Sequence, residues 1–355
     1  MLITILITLL TLSVLILAHE LGHYFAAKKT GIKVEEFGIG YPPRIWGKKI
    51  GETIYSINWI PFGGFVRLFG QEQIDPKKKA GAFWAKSKKI RFLVIIAGVL
   101  ANFILAWLLF SLTFLSRGIP VKTEKIIIAD VVPGSPAAEA GIKAEQTIIT
   151  VNGSPAGSLE YFIKLIDENK GKEISLELED NGELLTVKVM PRVQAEPDQG
   201  PLGVIISPYE LKKYPFWQMP FYSLIEGAKE TYYWVVVIGR ELVKMFASLI
   251  TAGQVPQDIA GPIGIFQVTS QVAESGILAL FQFMAILSIN LAIVNILPVP
   301  ALDGGHLLFI IVEFFVGRRP PKKFEGWITA AGIALLIFLM LLVTYNDLRR
   351  IFAGS

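Results

Sequence analysis

The chain has 355 residues, of which 52% are hydrophobic and only 18% charged, and its mean hydropathy is +0.52. Soluble chains carry about 25% charged residues, so this balance excludes an ordinary soluble enzyme, and the gathering of apolar residues into uninterrupted blocks excludes disorder. With no cysteine in the chain, disulfides, iron–sulfur ligation, thiol nucleophiles and thiolate zinc sites are excluded as well, and any metal must be held by His, Asp or Glu.

Residues 1–18 form the first of four stretches that reach the roughly 20 apolar residues a membrane-spanning helix needs; the others are 92–116, 277–298 and 327–345. A cleaved signal peptide is the competing reading of 1–18, but no basic residue precedes the apolar run and no small-x-small site follows it. The stretch runs directly into His19-Glu20-Leu21-Gly22-His23. In this H-E-x-x-H pattern the histidines stand four residues apart on one helix face, so both imidazoles reach one zinc ion while Glu20 reaches the water to be activated. Two of the chain's three histidines form this pair, at a membrane-helix end where ionisable groups are costly and usually functional. The bland alternative is a polar cluster that merely satisfies itself.

Residues 31–70 alternate apolar and polar positions and are rich in Gly, Pro and aromatics, as in Phe37-Gly38-Ile39-Gly40-Tyr41-Pro42-Pro43 and Ile60-Pro61-Phe62-Gly63-Gly64-Phe65-Val66. This predicts hairpins that partly enter the membrane, where non-helical backbone is tolerated only against protein or water. An exposed strand edge there could hold an extended substrate, with Gly63, Gly64 and Phe65 as candidate contacts. A simple loop is the alternative.

Residues 121–193 predict a compact αβ unit. Strand signals at 126–128 and 131–132 are followed by Pro133-Gly134-Ser135-Pro136-Ala137-Ala138-Glu139-Ala140-Gly141-Ile142, a strand at 147–151, Asn152-Gly153, a helix over 158–169, and strands at 173–178 and 184–189. The P-x-S-P-A-x-x-A-G-I stretch and the later V-N-G make this unit resemble the circularly permuted PDZ domain of bacterial proteases. Such domains take an extended chain as an added strand, and Gly200-Pro201-Leu202-Gly203-Val204-Ile205 would supply the docking loop, with Gly203 as candidate contact. An inert spacer is the alternative.

Residues 216–250 contain Glu226, Lys229, Glu230, Arg240, Glu241 and Lys244, and read as an amphipathic helix at the membrane interface. After the third apolar stretch comes Asn295-Ile296-Leu297-Pro298-Val299-Pro300-Ala301-Leu302-Asp303-Gly304-Gly305-His306. The prolines stop a regular helix and Gly304-Gly305 let the backbone turn closely around a site. Asp303 is the expected third zinc ligand, since catalytic zinc usually takes three protein ligands. Asn295 is a candidate to orient substrate or bond an oxyanion, Pro298 a candidate substrate contact, and His306 either ligates or packs.

Charge fixes the expected orientation. Residues 28–91 hold 14 Lys/Arg and 5 Asp/Glu, a net of +9, whereas 117–276 hold 14 and 20, a net of −6. The positive-inside bias places 28–91 in the cytoplasm, helped by Arg318, Arg319, Lys322 and Lys323, and puts both termini and the acidic segment outside. Spans one and three then run in the same direction, which brings His19 and Asp303 to one membrane face. The pI of 9.0 reflects this topology and is not read as nucleic-acid binding.

H-E-L-G-H in the first span, N-x-x-P-x-P-x-L-D-G-G at the third, Ala260-Gly261-Pro262-Ile263-Gly264 before it, and the PDZ-like unit together resemble the site-two protease family of intramembrane zinc metalloproteases, in particular the bacterial regulator of sigma-E protease branch. The resemblance implies hydrolysis of a peptide bond inside the transmembrane segment of a single-span protein, such as an anti-sigma factor or a signal-peptide-like remnant. A first cut by an upstream site-one-type protease would precede it. Zn²⁺ would be held by His19, His23 and Asp303, with Glu20 as general base, in a bacterial inner membrane. One departure stands out, since the best-known members of that branch carry two PDZ domains and this chain has room for one. The expected fold class is a four-transmembrane-helix α bundle with membrane-associated β hairpins and an inserted αβ PDZ-like domain. Its expected divisions are 1–30, 31–91, 92–117, 118–207 (PDZ-like), 208–276 (amphipathic linker), 277–306 (third span with L-D-G-G), 307–326 (cytoplasmic loop) and 327–355. A non-catalytic membrane scaffold is the strongest competing function; a transporter should show more spans, and a prenyl-protein peptidase no PDZ-like unit.

Overall fold

A computed structural model describes residues 2–71, 79–180, 182–194, 200–252, 261–317 and 321–353, so that Asn181, Ala260, Arg318 and Arg319 lie outside the described residues. The chain divides into two compact units, Leu115–Tyr222 and a second made of Met1–Phe114 with Ser223–Ser355. Four described helices are long and apolar enough to cross a membrane: Ile3–Lys29, Lys88–Arg117, Ile277–Ile296 and Phe324–Tyr345.

In the helical unit, helix α1 (Leu2–Lys29) runs unbroken through the H-E-x-x-H residues and ends with Lys28 and Lys29 in its last turn, where positive charge offsets the partial negative charge of the helix C-terminus. Strands β1 (Val34–Ile50) and β2 (Thr53–Leu68) follow. Each strand bends and pairs twice: Phe37 faces both Val66 and Tyr55, Ile39 faces both Gly64 and Ile57, and Arg44 returns to pair with Asn58. The ribbon therefore has four rungs, and the 60–68 half of β2 forms one outer edge. That edge lies on α1, where the Gly63 amide donates to Ser13 Oγ at 3.2 Å.

Helix α2 (Lys88–Arg117) buries Val94, Ile95, Gly98, Asn102, Ala106 and Phe110, a stripe at three- and four-residue spacing that faces neighbouring helices. Helix α3 (Pro136–Glu139) and helix α4 (Leu159–Glu168) belong to the other unit. The polar stretch after it forms α5 (Met219–Ala252), which packs on α2 through small residues: Ser223, Gly227 and Thr231 are buried at four-residue spacing, and Trp107 Nε1 donates to Leu224 O at 2.8 Å. Helices α6 (Pro262–Glu274), α7 (Ile277–Ile296), α8 (Asp303–Val316) and α9 (Lys322–Ala353) complete the unit.

The sequence reading extends the third span through L-D-G-G and makes 307–326 a loop; the structure corrects both. Helix α7 stops at Ile296, before the two prolines, and Asp303 opens the separate helix α8. Leu307, Ile310 and Glu313 form a buried face at three-residue spacing, and Gly317 ends the helix in the left-handed conformation, φ 79°. An ion pair between Arg91 and Glu313 at 2.7 Å, with both side chains about a tenth exposed or less, joins α2 to α8. Lys88 Nζ also donates to Glu313 O at 2.9 Å. These bonds fix the helix whose first residue is Asp303.

In the smaller unit the strands β3 (Ile119–Val131), β4 (Thr147–Val151), β5 (Ser154–Pro155), β6 (Ile174–Asp180), β7 (Glu183–Val189) and β8 (Val204–Lys212) form one sheet in the order β7-β6-β4-β3-β8, with β5 on β4. All pairings are antiparallel. Ser135 and Ser158 cap α3 and α4 by accepting from the Ala138 and Tyr161 amides. Ile126, Ile128, Ile148, Phe162, Ile166, Leu176, Leu178 and Leu202 form the core. Strand β8 is an outer strand and runs to Lys212 because Glu210–Lys212 pair with Ile119–Val121. Residues 208–276, expected as a single linker, thus hold the end of β8, α5 and α6.

Candidate metal centre

Helical spacing puts His19 and His23 one above the other on the face of α1 that meets α2. Their rings stand edge to face with centroids 4.7 Å apart, and both side chains are buried. Asp303, brought in by the first turn of α8, completes the group. Its Oδ2 lies 2.7 Å from His19 Nε2 and 3.0 Å from His23 Nε2, and the two nitrogens are 3.1 Å apart. Among the described residues this trio is the one group of His, Asp or Glu whose ligand atoms converge, all within 4.8 Å of one another.

The trio suits zinc. Two imidazole nitrogens and one carboxylate oxygen are zinc's common donors in catalytic sites, and tetrahedral coordination separates ligand atoms by about 3.3 Å, close to the spacing here. His23 Nδ1 lies 2.8 Å from Val94 O. A carbonyl only accepts, so Nδ1 carries the proton and the Nε2 lone pair is left for a cation.

The approach of the helices depends on missing side chains. A Cβ on Gly98 of α2 would collide with His23 Nε2 and stand 2.8 Å from His19 Nε2. One on Gly22 would strike Ala97 O across the α1–α2 contact, and those on Gly304 and Gly305 would strike Leu297 O and, at 2.7 Å, Val299 O. Gly98→Val should therefore push both imidazoles out of register. We expect the zinc affinity of the purified variant to fall, measured by metal analysis.

Glu20 is half-buried on α1, and its Oε2 accepts the Val66 amide proton at 2.9 Å from the outer edge of β2. The carboxylate is thereby aimed by the ribbon as well as by its own helix. A Cβ added at Gly63 or Gly64 would strike Ile16 or Leu17 of α1, so the edge approaches the helix closely there, and the Phe65 ring stacks on Tyr41 at 6.3 Å.

The remaining sequence candidates are more scattered. Asn295 sits half-buried near the end of α7, and its side chain makes no hydrogen bond among the described residues. Pro298 is exposed in the break between α7 and α8. His306 is not part of the trio and lines a cavity with Arg91, Phe83 and Glu313. Gly203 belongs to the smaller unit, where it adopts φ 72° against Ser135. Sequence reasoning missed Gly98, Asn102, the Val94 carbonyl and the Val66 amide. Asn102 carried a signal, as the one amide side chain inside the apolar stretch 92–116.

The family model of peptidase family M50 matches residues 7–339. A Clostridium acetobutylicum protein is 36% identical over 345 residues, covering 97% of this chain and 96% of that one. The zinc metalloprotease RasP of Geobacillus kaustophilus is 33% identical, covering 95% and 96% of the two chains. The regulator of sigma-W protease RasP of Bacillus subtilis is 28% identical, covering 98% and 99%. With its apolar helices and converging donors, the chain belongs to peptidase family M50, the site-two protease family, and is a membrane zinc metalloprotease.

Proposed function

We propose that His19, His23 and Asp303 hold the zinc ion and that Glu20 is the general base for hydrolysis of a peptide bond within the transmembrane segment of a single-span protein. The observation that carries this reading is the convergence of the two imidazoles and the carboxylate on one point, with Glu20 on the adjoining helix position. Zinc, when bound, polarises the scissile carbonyl and lowers the pKa of water toward about 7. Glu20 takes the proton of the attacking water and returns it to the leaving amine nitrogen. His19 and His23, buried and held by α2, and Asp303, held by α8, keep the donors in place without reorganisation.

A transmembrane helix protects its peptide bonds by its own hydrogen bonding, so the substrate has to be unwound near the site. The 60–68 edge of β2, with Gly63, Gly64 and Phe65, lies along α1 beside Glu20 and is suited to hold an extended chain through the backbone groups that Ser13 and Glu20 do not take. Asn295 and Pro298, in the stretch leading to Asp303, are the second candidate contact. The charge bias of the loops places the 28–91 region in the cytoplasm and the smaller unit outside. We read that unit as PDZ-like: β8 offers an outer edge next to the Gly203 loop, suited to filtering substrates already shortened by another protease. The name of the Bacillus subtilis relative favours sigma-factor regulators such as anti-sigma factors as substrates.

A scaffold function would need none of the buried ligand convergence. The reading is tested with the purified enzyme in liposomes and a single-span substrate, mapping the products by mass spectrometry. We expect a cut inside the transmembrane segment that is lost on chelation and restored by zinc. Cleavage confined to the ectodomain, or insensitive to chelation, would contradict it.

A further inference from the structure

The two imidazoles are held differently at their far nitrogens. His23 Nδ1 donates to a backbone carbonyl, that of Val94, which fixes its tautomer whatever else happens. His19 Nδ1 bonds no carbonyl among the described residues; it faces the side-chain amide of Asn102, with Nδ2 3.4 Å away. Asn102 is fully buried, at 0% exposure, and its Oδ1 has no hydrogen-bond partner among the described residues. Its position is held from behind, since Ser288 Oγ of α7 donates to its backbone carbonyl at 2.9 Å. It also lies one turn after Gly98, on the face of α2 that meets the imidazoles.

An orphaned amide oxygen in a buried polar site needs a physical reason. Asn102 can present either end of its amide to His19, because a half-turn about the last side-chain bond exchanges Nδ2 and Oδ1 without changing the shape. In the orientation shown, Nδ2 donates to an unprotonated Nδ1, and His19 Nε2–H donates to Asp303. If Nε2 is given to a metal, the proton of the neutral ring must sit on Nδ1, and Nδ2 and Nδ1–H become two donors facing each other. The half-turn removes that conflict and gives Oδ1 the partner it lacks.

We propose that Asn102 is the positioning residue for His19, its Oδ1 accepting the Nδ1 proton so that Nε2 is presented to the metal. This inference rests on the ligand set proposed above. Outer partners of this kind raise the basicity of a histidine ligand and hold its ring, and their loss typically weakens metal binding by about 10- to 100-fold.

The test is the zinc dissociation constant of the purified full chain, measured by chelator competition, for wild type, Asn102→Leu, Asn102→Asp and Asp303→Asn. Leu keeps the number and branching of the heavy atoms and removes the acceptor; Asp keeps the acceptor and removes the donor. We expect Asn102→Leu to bind zinc roughly 10- to 100-fold more weakly, and Asn102→Asp to bind at or above the wild-type affinity. A loss in Asn102→Asp as large as that in Asn102→Leu, or no loss in Asn102→Leu, overturns the inference. Should the Leu variant fail to fold, the Asp variant decides alone: affinity at or above the wild type supports the inference, and a loss of about 10-fold or more overturns it. Asp303→Asn separates the two readings: if it binds as wild type does, the ligand set itself fails, whereas a weakened Asp303→Asn beside an unaffected Asn102→Leu removes the role of Asn102 alone.

Discussion

Glu20→Gln is expected to slow cleavage by roughly 10² to 10⁴-fold, the usual contribution of a positioned base, while leaving the zinc content of the purified enzyme unchanged. Glu20 is not one of the three converging donors, so zinc has no cause to leave. Glutamine keeps the length of the side chain and an oxygen that can still accept from the Val66 amide, so the contact between α1 and the β2 edge persists. What it loses is the capacity to take a proton from water. The measurement is a single-turnover cleavage rate beside metal analysis of the same preparation. Wild-type cleavage by this variant would remove Glu20 from the chemistry and favour a scaffold.

Asp303→Asn is expected to lose both zinc and activity. The carboxylate oxygen touches both imidazole nitrogens, at 2.7 and 3.0 Å, and it carries the negative charge that balances a cation in a largely buried pocket. An amide keeps a neutral oxygen and discards that charge. Since loss of an outer-shell partner alone weakens binding about 10- to 100-fold, loss of this direct donor should exceed that range. Helix α8 cannot simply slide to compensate, because Gly304 and Gly305 are already packed on the 297–299 backbone and Glu313 is tied to Arg91. Partial recovery of cleavage at high added zinc would agree with a weakened site. Full zinc occupancy at trace metal would contradict the assignment.

Much of this was legible in the residues because the constraints are local or compositional. Membrane helices announce themselves by length and apolarity, and H-E-x-x-H carries its own geometry once it lies on a helix. The αβ unit followed from turn and capping residues such as Ser135, Ser158 and Asn152-Gly153. Helix α8 was misread because a 14-residue apolar helix is too short to register as a span, and L-D-G-G looks like the end of one element when it opens the next. The supporting contacts were illegible for a different reason. Val66, Val94 and Gly98 act through a backbone amide, a backbone carbonyl and the absence of a side chain, and nothing in a residue's identity reveals which distant ring it will meet. Asn102 was visible as an anomaly in an apolar span, but its partner emerged only once α1 and α2 were packed.

The proposed metal centre joins three side chains from two distant parts of the chain. Zinc K-edge X-ray absorption of the purified wild-type enzyme tests this most directly. It should show two imidazole nitrogens and oxygen ligands at about 2.0–2.2 Å, with the imidazole signal lost or halved in His23→Ala. A spectrum without imidazole, or one unchanged by that substitution, would contradict it.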